Sequence, residues 1–124
     1  MIYLAAPYSH ENPEIETRRE KLATHYAMVL TIEGLNIYSP LTHGCALVRE
    51  AIKNDIELGT NFEAWKSSCL EMVSKADELW YLKFDGWEES EGLKAEILHA
   101  RKKCIPVKGM DEEQLLGLIA LGRR

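Results

Sequence analysis

Four short apolar runs constrain this chain more than any other feature. They are Ile2-Tyr3-Leu4-Ala5, Leu35-Asn36-Ile37-Tyr38, Glu78-Leu79-Trp80-Tyr81-Leu82 and Cys104-Ile105-Pro106-Val107. Runs this short and this continuous suit buried parallel strands. Helix signals separate them, so the order reads β-α-β-α-β-α-β-α. That order predicts an α/β fold: a small flavodoxin-like (Rossmann-like) doubly wound parallel sheet of four to five strands, with helices on both faces. Pro106 cannot donate to a ladder, which puts the fourth strand near an edge.

The helix signals are specific. Asn12-Pro13 is a cap followed by a first-turn proline, and Glu14 and Glu16 suit the positive end of the dipole. Ile15, Leu22, Ala23, Tyr26, Ala27 and Leu30 then recur at helical spacing, and Gly34 is a C-terminal stop. Ser39-Pro40 stops the second strand, and Leu41-Thr42-His43-Gly44-Cys45 reads as the loop after it. Residues 46–60 read as a short helix and then a loop, a candidate lid. Asn61 caps a helix to about Lys75 with Phe62, Trp65, Cys69, Met72 and Val73 inward. Asp111-Glu112-Glu113-Gln114 is a capping box. It opens a last helix through Leu115, Leu116, Leu118, Ile119 and Leu121, whose apolar face serves core packing or dimerisation equally well.

At 124 residues, the chain is expected to be one domain, 1–124. A net charge of −5 gives no whole-chain attraction to nucleic acid polymers or acidic membranes. No apolar run reaches membrane-spanning length, and the start lacks the basic region of a signal peptide. Cys45, Cys69 and Cys104 are odd in number and form no C-x-x-C, which disfavours zinc and disulfides and suits a reduced cytoplasmic setting. His43 and Cys45 alone are a weak ligand pair, so no metal is expected. The dinucleotide fingerprint, the P-loop and the nucleophile elbow are all missing.

The chemistry gathers where the strands end. Tyr3 lies inside the first strand, and Pro7, Tyr8 and Ser9 follow it. His43 follows the second. Asp85, Trp87, Ser90 and Gly92 follow the third, on an acidic strand-to-helix stretch that ends at Glu96. Open α/β sheets bind ligands at the carboxyl ends of strands. Ser90 stands at a helix N-terminus, a natural anion seat. Trp87 and Tyr8 offer flat faces for a base, or simply pack. From its helical position alone, Glu96 reads as a solvated carboxylate. Facing the crevice, it could instead form an ester at an anomeric carbon.

Together these pieces resemble the nucleoside 2-deoxyribosyltransferase-like superfamily, which includes 2′-deoxynucleoside 5′-monophosphate N-glycosidases, and most of all a small branch of it in phages and bacteria. The resemblance spans about residues 1–107. It rests on Ile2 through Ser9, Arg18-Arg19, Tyr38-Ser39-Pro40 with His43, Ala76-Asp77, Gly86-Trp87 and Ser90-x-Gly92-x-x-x-Glu96 with Ala100. It implies Glu96 as nucleophile on C1′ and Tyr3 as the residue that positions it. A serine at Ser90 implies a contact to a 5′-phosphate, with Arg19 either a second phosphate contact or an ordinary helix ion pair. The resemblance also implies a homo-oligomer that needs no cofactor. Cys69 stands where relatives often carry an aspartate, so Asp85 becomes the candidate acid/base, or a turn residue only. Asp77 reads as a turn or cap. The expected function is N-glycosidic cleavage or transfer on a nucleoside 5′-monophosphate or nucleoside. The alternative is a nucleotide-binding module, for sensing or sequestration, on the same fold.

Overall fold

The apolar runs pair side by side in one parallel sheet. In a computed structural model, which describes residues 1–122 and side chains as far as Ile119, β1 (Ile2–Ala5) lies between β2 (Ile37–Tyr38) and β3 (Glu78–Leu82). β4 (Val107–Met110) forms the far edge, giving the order β2-β1-β3-β4. Tyr3 pairs with Tyr38 on one side and Leu79 on the other, and Leu79 pairs with Val107. Five helices cover the sheet: α1 (Pro13–Ile32), α2 (Pro40–Lys53), α3 (Phe62–Lys75), α4 (Glu91–Lys102) and α5 (Glu112–Gly122). The fold is the doubly wound, flavodoxin-like α/β arrangement that the alternation predicts.

Strand alternation sorts the core into two layers. Ile2, Leu4, Trp80, Leu82 and Met110 face α1 and α5, meeting Ala23, Tyr26, Leu30 and Leu115. Tyr3, Ala5 and Leu79 face α3 and α4, meeting Cys69, Val73, Leu93 and Ala100. Leu4, Leu30, Leu79, Leu82, Leu93 and Leu115 are fully buried, each contributing about 1.5–3 kcal/mol of transfer free energy. The expected stripe on α1 therefore reaches the core through Ala23, Tyr26 and Leu30, its other members being half-buried. Caps form as the sequence predicts. Asn12 accepts from the Glu14 N–H at 2.9 Å, and Asn61 from the Ala64 N–H at 3.0 Å. Asp111 and Gln114 bond reciprocally at 2.9 and 2.8 Å. The side chain of Leu121 lies outside the described residues.

Three elements differ from expectation. Leu41-Thr42-His43-Gly44-Cys45 is not a loop but the first turns of α2. Ser39 accepts from the Thr42 N–H at 3.3 Å and Pro40 takes the first helical position, the same device as Asn12-Pro13. α2 runs on to Lys53, so only 54–61 remains as a connection. It is pinned where Trp65 Nε1 donates to the Gly59 carbonyl at 2.7 Å. β4 begins at Val107 rather than Cys104, because Cys104 sits in a left-handed turn (φ 58°) after α4. Pro106 contributes only its carbonyl, to Leu79 N–H at 2.9 Å. Leu35 and Asn36 stay outside the short β2, although the Asn36 carbonyl still bonds Ile2 N–H at 2.8 Å.

At the carboxyl edge of the sheet, Arg19 ties two loops together. Its Nη1 donates to the Tyr8 and Ser9 carbonyls at 3.2 and 3.0 Å, and its Nη2 to the Asp85 carbonyl at 2.9 Å. Gly86 makes room for it. Its φ is +88°, and an added Cβ would collide with the Arg19 guanidinium. Gly86→Ala should therefore lower the unfolding free energy by about 1–3 kcal/mol, from backbone strain and a displaced clamp. Gly117→Ala, at an open helical position in α5, should raise it by about 0.5–1 kcal/mol. Urea titrations of the two variants check this, and equal shifts for both would refute the clamp.

Candidate functional site

α4 aims a carboxylate at the sheet. Its cap is Ser90, whose Oγ accepts from the Leu93 N–H at 3.2 Å. With the helix started there, Leu93, Glu96 and Ala100 form its buried face. Glu96 is thus 5% exposed, not the solvated carboxylate that helix position alone suggests. Tyr3 reaches it from the middle of β1, fully buried, and its O–H donates to Glu96 Oε2. The Tyr38 ring lies 5.7 Å from the Tyr3 ring, and the Cys69 thiol abuts the Tyr3 hydroxyl. Among the described residues no donor reaches Glu96 Oε1, so one oxygen is committed and one is open.

Among the described residues no cation offsets this burial. Desolvation raises the Glu96 carboxyl from its ordinary 4.5 to about 7, with the Tyr3 hydrogen bond pulling the other way. Desolvation and the neighbouring Glu96 charge push the Tyr3 hydroxyl up. Burial likewise raises the Cys69 thiol and the Tyr38 hydroxyl. Glu96 is therefore a group at the floor of the site that changes charge near neutrality.

Above this pair opens a cavity of about 250 Å³. It lies over the carboxyl ends of β1, β2 and β3, beside the β1–β3 switch point where ligands sit in doubly wound sheets. Of the residues singled out in the sequence, Tyr8, Ser9, His43, Ser90, Gly92 and Glu96 line it. Tyr8 contacts the Cys45 thiol across the wall, and burial raises its hydroxyl. The His43 ring lies 5.8 Å from the Tyr38 ring, tilted at 47° to it. Gly92 lets the two helix starts approach closely, since a Cβ there would stand 2.9 Å from the Phe62 ring. Phe62 and Trp65 also line the cavity and were read as core residues only. They share with Cys69 the stripe at 62, 65 and 69. That stripe faces the core in its second half and the cavity in its first, so periodicity alone could not separate the two roles.

Other candidates lie elsewhere. Asp85 is exposed and lines a neighbouring hollow of about 830 Å³, so it is not brought to Glu96. Arg19 lines that hollow too; three of its five N–H donors go to carbonyls, and among the described residues it forms no helix ion pair. Trp87 packs on Tyr81 at 5.3 Å under Lys83, outside both hollows. Pro7 is fully buried, turning the chain out of β1. Asp77 bonds the Met1 carbonyl through its N–H at 2.8 Å where the chain enters β3, as a turn residue. The two hollows meet at Ser9, Glu89 and Ser90.

Residues 1–112 match the family model described as a domain of unknown function (DUF1937). No curated protein matches the chain.

The buried carboxylate should be visible in stability. Its folded pKa lies above its unfolded one, so the stability it allows is fully present below about pH 4.5 and is lost as pH rises through about 7. Glu96→Gln keeps an acceptor for Tyr3 and removes the charge. It should stabilise the protein at pH 8 by about 1–3 kcal/mol and give no gain at pH 4. Thermal unfolding at the two pH values tests this, and a destabilised variant at pH 8 would contradict it.

Proposed function

We propose for this chain, which belongs to the DUF1937 family, cleavage or transfer at the N-glycosidic bond of a nucleoside 5′-monophosphate or nucleoside. The observation that carries this reading is the buried Tyr3–Glu96 pair, with one carboxylate oxygen open to an aromatic-walled cavity. Tyr3 fixes the carboxylate, and Glu96 Oε1 attacks C1′. The electron pair of the C1′–N bond leaves with the base, giving a glycosyl ester that water or a second base resolves. The ionised form of Glu96 is the nucleophile, so turnover rises with pH through about 7.

Tyr8, Tyr38, Phe62 and Trp65 supply faces for a base. Ser90 and the start of α4 suit a 5′-phosphate, since the Ser90 hydroxyl accepts in capping and keeps its own proton to donate. Arg18, exposed at the adjoining hollow, joins Arg19, which keeps donors beyond the three given to carbonyls, as a candidate second phosphate contact. Binding without turnover is the second reading, favoured by the thiol of Cys69, rather than another carboxylate, beside Tyr3. A homo-oligomer is part of the proposal. Leu47, Ile52, Ile56 and Leu58 stay exposed on α2 and the connection after it, next to Thr60 and Asn61 at the cavity. Light scattering at micromolar concentration should report more than a monomer.

Incubation with ribo- and deoxyribonucleosides and their 5′-monophosphates should release free base, read by chromatography. Glu96→Ala should abolish release, and Tyr3→Phe should slow it by about 10- to 100-fold through a misaimed carboxylate. Ligand-induced thermal stabilisation without release would favour the binding module.

A further inference from the structure

The cavity around Glu96 carries charge of one sign. Glu89, Glu91 and Glu96 line it, and among the described residues no lysine or arginine does. Its walls are rings, from Tyr8, Tyr38, Phe62 and Trp65. An anion placed there would face a buried carboxylate where repulsion is weakly screened. A cation would gain from the carboxylates and from the negative faces of the rings. Cationic side chains begin one hollow away, where Arg18, Arg19 and Lys83 stand with Asp85 and Glu112, beyond the shared Ser9 and Ser90.

Resting on the N-glycosidic reading above, we infer that the base held in this cavity is a cation. The substrate class is a nucleotide whose base joins C1′ through a quaternary, positively charged ring nitrogen, its phosphate directed outward past Ser90.

The leaving-group chemistry points the same way. A neutral base needs a proton as its bond to C1′ breaks. The groups against Glu96 are the Tyr3 hydroxyl, already donating to it, and the Cys69 thiol and Tyr38 hydroxyl, both made weaker acids by burial. Glu89, Glu91 and His43 are exposed at the rim, with Glu91 3.5 Å from Lys94. No buried acid is held over the floor of the cavity. A cationic base requires none. Glu96 Oε1 bonds to C1′, the C1′–N pair returns to the ring nitrogen, and the base departs neutral. Water then cleaves the ester, yielding the sugar hydroxyl and the free carboxylate and releasing one proton. The bound cation also favours the ionised, nucleophilic form of Glu96.

The test compares substrates that differ in charge at the base. The pairs are 7-methylguanosine 5′-monophosphate with guanosine 5′-monophosphate, and nicotinamide mononucleotide with cytidine 5′-monophosphate. Base release by the full chain is measured for each, with Glu96→Gln as control. The expected result is a kcat/KM ratio favouring the cationic member by about 10-fold or more beyond the ratio of uncatalysed rates, a size in keeping with desolvated cation–ring contacts, with all release lost in Glu96→Gln. Equal or better turnover of the neutral members would overturn the cation inference and leave the N-glycosidic reading standing. No release from any substrate would overturn both.

Discussion

A carboxylate is held in the interior of this molecule with a tyrosine as its hydrogen-bond donor, and much of the fold can be understood as the means of holding it there. Taking a carboxylate out of water costs several kcal/mol unless donors or cations compensate. Here one hydroxyl does so, and desolvation still dominates, leaving Glu96 poised near neutrality. Such a group persists only where the surrounding packing is strong enough to offset it. β1 supplies that packing, lying between β2 and β3 with every residue buried. Tyr3 sits in the middle of this strand, so its hydroxyl has little freedom to move away from Glu96.

Two further constraints orient the pair. The Ser90 cap sets where α4 begins and so which of its faces meets the sheet, putting Leu93, Glu96 and Ala100 inward together. Arg19 joins the loops after β1 and β3, and Gly86 gives it space. The half-buried Arg19 guanidinium supplies three loop carbonyls with donors at a sheet edge where no strand supplies them. The clamp and the cap thus share the loop after β3, which the clamp also joins to the loop after β1. An arginine whose sequence position suggests a phosphate contact or a helix ion pair holds loop carbonyls instead of an ion-pair partner, and a serine at the cavity caps the helix.

Much of this arrangement was legible beforehand, and the misreadings have physical causes. The strands announced themselves as short apolar runs, and Asn12, Asn61 and Asp111 marked helix starts because local capping chemistry is written within four residues. Ser39-Pro40 carried the same signal, but a proline that ends a strand and one that begins a helix look alike in isolation. β4 slid to Val107 because apolarity spans the turn as well as the strand, and only pairing with Leu79 sets the register. Asp85 and Glu96 could not be ranked from sequence spacing alone, since both follow β3. The difference between an exposed turn and a buried helix face is decided by what packs on each.

The sequence by itself therefore determined the alternation of strands and helices, the class of the sheet they build, and the end of it at which the cavity opens. Those follow from periodicities and caps that act over a few residues. Tertiary structure alone decided that Glu96 is buried, that Phe62 and Trp65 wall a cavity, and that Arg19 binds three loop carbonyls, while the Tyr3–Glu96 contact is the one the sequence resemblance implies. Each of these depends on contacts between residues tens of positions apart, where desolvation and partner geometry, not local propensity, set the energy.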